Sequence, residues 1–192
     1  EIMPSLVGSE MCIRDRYGIL FRKLGIFYVA ARREYAELRK GCIKMKKSVI
    51  KKYAKLIVKI GANVQKGQSV VISAGVDQSD FVAMVADEAY KAGAKYVTVN
   101  WSSDRLTKLS YRHQTLKTLS TVLSWQEEKL KWMSEELPCV IHIVSDDPDG
   151  LKGINMEKLQ KSSQARYKTL KKYNDAMENR HQWTIAAVPG EA

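Results

Sequence analysis

Two short runs in this chain are almost wholly apolar: Val70-Val71-Ile72, within Ser69–Ala74, and Cys139–Val144, which reads CVIHIV. Both are rich in β-branched side chains, which suit a pleated strand. A strand with one wet face alternates polar and apolar residues, whereas an uninterrupted apolar run needs cover on both faces. Each run is fenced by breakers. Gln65-Lys66-Gly67-Gln68 precedes the first and Gly75 follows it; Pro138 precedes the second and Asp146-Asp147-Pro148-Asp149-Gly150 follows it. Lys95–Asn100 and Trp183–Val188 read as two further strands, the last stopped by Pro189-Gly190.

The stretches between the strands have helical period. Val49, Ile50, Tyr53, Leu56, Ile57 and Ile60 make one apolar face, with Gly61 and Asn63 ending the helix. Phe81, Val82, Val85, Ala86, Ala89 and Tyr90 make the buried side of a second, closed by Gly93. Leu106, Leu109, His113, Leu116 and Leu119 lie along one stripe of a third, opened at Ser102-Ser103-Asp104. Ser124-Trp125-Gln126-Glu127 reads as a capping box opening a fourth, which carries Leu130, Met133 and Leu137. Met156, Leu159, Ser163, Tyr167, Leu170, Tyr173 and Met177 mark a long fifth helix with Asn155 as its N-cap. The order is helix, strand, helix, strand, two helices, strand, helix, strand. Such alternation predicts an α/β layered domain, with a mainly parallel sheet of about four strands flanked by helices and incomplete at the C-terminus. Its crossovers are expected to be right-handed. No internal repeat or low-complexity segment interrupts it.

The chain has 192 residues, 45% of them apolar, which suffices for a domain with a real core. A net charge of +11 raises nucleic acid, an anion or a membrane surface as partners. Yet Lys46, Lys47, Lys51, Lys52, Lys55 and Lys59 fall on the polar side of the first helix, where a solvated face explains them. The strand-loop-helix at Gly75–Asp80 lacks both G-x-G-x-x-G and G-K-[ST], so Asp77, Ser79 or Asp80 is expected to be a helix cap. A stand-alone basic α/β module for a nucleotide or nucleic acid is the rival reading. Trp125 and Trp132 lack the basic-aromatic alternation of a base-stacking platform, so packing is expected of them. Cys12, Cys42 and Cys139 form no C-x-x-C pair, and Cys139 is expected to act as a small buried hydrophobe, as fits a reducing cytoplasm.

No catalytic, cofactor-binding or metal-ligating residue is assigned from the sequence. His113, His142 and His181 stand in no short ligand spacing such as H-E-x-x-H. His113 is expected to be packed or partly exposed. His142, between Ile141 and Ile143, is expected to be a hydrogen-bonded core histidine; His181, near the end of the long helix, suits the negative end of the helix dipole. Asp146, Asp147 and Asp149 form the densest acidic group, but interleaved proline and glycine predict a turn. Residues 1–44 break with the rest. Ile2–Arg16 has no sustained period and looks like translated adapter sequence, and the apolar run Leu24–Ala31 is far short of the roughly twenty residues a membrane span needs. The expectation is a non-native leader over 1–44 and a domain over 45–192.

The segments Ile141-His142-Ile143, Asp147 to Asn155 (DPDGLKGIN), Asp175 to Asn179 (DAMEN), Gln182 to Pro189 (QWTIAAVP) and the Gln65–Gln68 turn with Val70-Val71-Ile72 together resemble the N-terminal part of the aminopeptidase T family, the thermophilic two-metal aminopeptidases. The resemblance runs from about Met45 to Ala192. It implies a cytoplasmic homodimeric metallo-aminopeptidase acting on peptide substrates through two divalent ions, zinc or cobalt, without nucleic acid or membrane. In the family the metal-binding glutamates, histidines and aspartate lie in the C-terminal half, so no family ligand has a matching position here. This portion is therefore expected to bind no metal, to cleave nothing by itself and to stop before the catalytic domain.

Overall fold

The computed structural model describes residues 46–145 and 149–188, all within the unit Met45–Ala192. Residues 1–45, Asp146, Asp147, Pro148 and 189–192 lie outside the described residues, and with them the expectations placed on the leader, on Cys12 and Cys42, on two of the three loop aspartates and on the closing Pro189-Gly190. In chain order the elements are α1 (Lys47–Leu56), β1 (Ser69–Gly75), α2 (Ser79–Lys91), β2 (Tyr96–Ser102), α3 (Asp104–His113), α4 (Leu116–Ser120), α5 (Ser124–Glu136), β3 (Cys139–Val144), α6 (Met156–Met177) and β4 (Trp183–Ala187). The strands form one sheet in the order β2-β1-β3-β4, every pairing parallel. The chain moves outward from β1 to β2, then returns across β1 to β3 and β4. That reversal, with right-handed crossovers, puts α2 on one face of the sheet and α5 and α6 on the other. It makes the fold doubly wound, with its switch point between β1 and β3.

The two faces are packed differently. Val70, Ile72, Ala74, Cys139, Ile141, Ile143 and Ala186 point to the first face. There they form one core cluster with Ala54, Ile57 and Val58 from the first helix and Phe81, Val82, Val85 and Ala89 from α2. The Tyr53 and Phe81 rings stack within it at 5.7 Å. Cys139 is fully buried, its thiol 3.6 Å from the Ala62 carbonyl and pushed up to about 11 by burial, the inert small hydrophobe expected. The second face meets α5 and α6, and of those two helices only Leu159, Ser162 and Met177 are buried.

Several local expectations are corrected. The first helix widens into a π turn over Ile57–Gly61, and the extra residue in that turn rotates the positions after it. Ile60, expected in the core, is 73% exposed, and Val58 takes its place. The six lysines of this helix are exposed, as expected. Tyr90 is exposed, one position past the buried edge of α2. The stripe from Leu106 to Leu119 is broken: Gln114 is extended (ψ 151°), so α3 and α4 are separate helices, and Leu106, Leu109 and Leu116 stay exposed. Asp77, Ser79 and Asp80 make no side-chain cap; the helix enters through a 3-10 turn, Val76–Gln78, with Gln78 at the cap position. The box at α5 is shifted by one residue, with Leu123 at the cap and the Gln126 Oε1 accepting from the Leu123 amide at 3.3 Å. Leucine offers no oxygen, so only half of the box exists. Asn155 caps α6 as expected, accepting from the Lys158 amide at 2.9 Å.

Candidate functional site

The face of the sheet away from the main core bears a polar row. In the strand register Ser73 of β1 stands between Asn100 of β2 and His142 of β3. The row runs from the edge strand β2 to the inner strands β1 and β3, and all three side chains are half-buried. Facing them is a cleft of about 420 Å³ between the sheet and helices α5 and α6. Its apolar floor includes Val71 and Val140, two residues earlier on β1 and β3; Leu130 and Met133 of α5 and Leu170 of α6 form its walls. Lys129 and Gln126 enter from α5, Arg166 and Asn174 from α6, and His181 from the loop before β4.

The electrostatics are one-sided. The lining holds two permanent cations and two imidazoles but no carboxylate. Lys129 donates to the Asn100 side-chain oxygen. The Arg166 guanidinium donates to the Thr121 carbonyl and to Gln126 Oε1, each at 3.0 Å. His181 Nδ1 lies 2.9 Å from the Met177 carbonyl at the end of α6, the helix-end placement expected of it. His142 is half-buried and, among the described residues, makes no side-chain hydrogen bond, so the hydrogen-bonded core role expected of it is corrected. Burial lowers its pKa below the usual histidine value, and the neighbouring His181 charge lowers it further.

The sign of the resulting pH effect is fixed. An unfolded His142 takes a proton near pH 6.5 and the folded one resists it, so stability is full above that pH and falls as acid carries the protein through the folded pKa. Thermal unfolding between about pH 7.5 and 5.5 should show this loss, and His142→Asn should flatten it. Lys129, Arg166 and His181 line the same cleft as the ring, and of these it is the His181 charge that opposes its charging. An unchanged pH slope in the variant would assign the loss elsewhere.

The other places raised by the sequence are less promising. His113 is exposed at the end of α3. Asp149 reaches Lys152 at 3.7 Å, and its carbonyl accepts from Lys108. Trp125 is 61% exposed at the cleft mouth, and Trp132 is 38% exposed, so neither is a core residue. At the carboxyl end of β1 an added Cβ on Gly75 would collide with Asp77 Oδ1, so a carboxylate occupies the spot where a phosphate would need donors. Among the described residues no group of three or more His, Cys, Asp or Glu is placed to hold a metal ion. Two imidazoles beside Lys129 and Arg166 do not fit a pair of divalent cations. No helix among the described residues is long and apolar enough to cross a membrane.

Sequence reasoning passed over Ser73, Asn100, Lys129 and Arg166. The available signal was a polar residue near the carboxyl end of each of three apolar strands: serine in VVISAG, asparagine in YVTVNWS, histidine in CVIHIV.

A doubly wound parallel sheet with a cleft beside its switch point defines a broad class of α/β proteins. The profile of the thermophilic metalloprotease (M29) family matches residues 46–192, and the chain belongs to that family. It is 35% identical over 137 residues to aminopeptidase AmpS of Bacillus subtilis (strain 168), covering 71% of this chain and 33% of that one. It is 31% identical over 146 residues to aminopeptidase PepS of Streptococcus thermophilus, covering 76% and 35%. The structure of wild-type AmpT from Thermus thermophilus superimposes with a TM-score of 0.67 at 27% identity, over 73% of this chain and 36% of that one. The chain thus spans about a third of the length of these relatives.

Proposed function

We propose that this chain is the amino-terminal α/β part of a metal-dependent aminopeptidase that removes N-terminal residues from peptides. The observation that carries the reading is the collinear family match over 46–192, joined to relatives named as aminopeptidases. The two divalent ions, zinc or cobalt, belong to residues outside this unit. The unit itself, 45–192, serves assembly and substrate access in a cytoplasmic homodimer, with residues 1–44 outside the enzyme proper. A nucleic-acid module gains no support: the Gly75–Asp80 loop presents a carboxylate, not a phosphate cradle.

Purified 1–192 is expected to show no turnover of an aminoacyl chromogenic substrate with added zinc or cobalt. Residues 45–192, grafted in place of the matching third of Bacillus subtilis AmpS, are expected to give chelator-sensitive turnover. Activity in the isolated chain, or a folded graft with none, would overturn the reading.

A further inference from the structure

The cleft on the second sheet face has a composition that apolar packing alone does not explain. Its polar row, Asn100-Ser73-His142, is in register across three strands, so these groups are presented together. Opposite the row stand Lys129, Arg166 and His181. Among the described residues neither Lys129 nor Arg166 is in an ion pair; their hydrogen bonds go to amide and carbonyl oxygens. None of the four glutamates on the helix of Lys129, Glu127, Glu128, Glu135 and Glu136, lines the cleft; Glu127 is engaged by Lys172 at 3.1 Å and the Tyr173 hydroxyl at 2.9 Å, and Glu136 accepts from the Ser69 hydroxyl at 2.8 Å. The Ser73 hydroxyl and the His142 ring make no side-chain hydrogen bond among the described residues. Like charges gathered without a counter-charge repel one another, and a bound anion relieves that repulsion while accepting hydrogen bonds from the open donors.

We propose that this cleft binds a small oxyanion, a carboxylate or a phosphate, held by Arg166 and Lys129 from the helices and by Ser73 and His142 from the sheet. The ligand lies over the middle of the sheet face, across β1 and β3, between the sheet and helices α5 and α6. The Asn100 amide holds Lys129 toward the cleft, and His181 closes the far end. The proposal rests on this chain's own residues and stands or falls separately from the peptidase reading.

The test is a titration of the 1–192 chain with inorganic phosphate replacing chloride at constant pH and ionic strength, read by the imidazole signals of His142 and His181 in nitrogen-proton spectra. Both signals should move along one saturating curve, while exposed His113 stays still. Arg166→Met should weaken binding about 10- to 100-fold, the loss of one charge-assisted hydrogen bond, and Ser73→Ala by about 2- to 10-fold. Arg166 also ties α6 to Thr121 and Gln126, so if that variant does not fold, Lys129→Met takes its place. A parallel titration with acetate distinguishes the sources: a response to both assigns a site open to carboxylates, and a response to phosphate alone assigns a more highly charged ligand. No saturable movement of His142 and His181, or equal affinity in the wild type and the variants, would overturn the proposal.

Discussion

Ile141→Ala should lower the free energy of unfolding by about 2–5 kcal/mol, the range for an isoleucine truncated in a core that cannot collapse around it. Ile141 is fully buried in β3, between Ile72 of β1 and Thr184 of β4. Its side chain belongs to the cluster that joins the sheet to α1 and α2, so both layers lose contact when it is cut back. Whole-domain stability is commonly only about 5–15 kcal/mol, so the loss is a large share of it. Ile141→Val should cost about 0.5–1.5 kcal/mol. Urea unfolding of the three proteins measures both losses. Equal losses from Val and Ala would mean that the deeper cavity is refilled by movement of the helices.

Gly93→Ala should cost about 1–3 kcal/mol from backbone strain, and more from crowding. Gly93 sits at φ +97°, outside the range that L side chains adopt readily. A Cβ there would lie 3.0 Å from Lys66 Cγ and 3.2 Å from Lys66 Cα. The close approach is built into the fold, because the Gly67 amide donates to the Gly93 carbonyl at 2.7 Å and the Lys95 amide to the Gln68 carbonyl at 2.8 Å. These bonds bind the turn before β1 to the turn before β2. Gly67, at φ +81° with open space around it, is the internal control, since Gly67→Ala carries backbone strain alone. The difference between the two variants in urea unfolding isolates the contact with Lys66. No difference would mean that Lys66 moves aside freely.

The α/β architecture was legible because β1 and β3 lack alternation and the intervening stretches have helical period. Strand order was not, since pairing partners are chosen by packing among distant segments. The boundaries that failed did so for local reasons. The π turn at Ile57–Gly61 depends on no residue pattern visible beforehand, and it shifted the register of the last apolar position, Ile60. The break at Gln114 has neither glycine nor proline to announce it; extended backbone at Gln114 and Thr115 separates α3 from α4, and the leucine stripe never forms. The cleft was hidden in another way. Each of Ser73, Asn100 and His142 alone looks like a tolerated polar residue in a strand, and only the register sets them abreast. Lys129 and Arg166 looked like ordinary helix-surface charges until the placement of α5 and α6 turned them inward.

The Tyr53 hydroxyl on the first helix donates to the Ala187 carbonyl on the last strand at 3.1 Å, across a separation of 134 residues. Gly61 of the same helix abuts Thr184, whose Oγ1 would lie 2.9 Å from a Cβ placed there. The earliest helix of the unit therefore meets its final neighbour only when the last strand has been made. At a synthesis rate of about 5–20 residues per second, that wait is on the order of 7–27 seconds for the 134 residues between the two partners. Through that interval one flank of the helix has no partner from β4, and a chaperone working at the ribosome would meet this unit with its first helix still in want of its last strand.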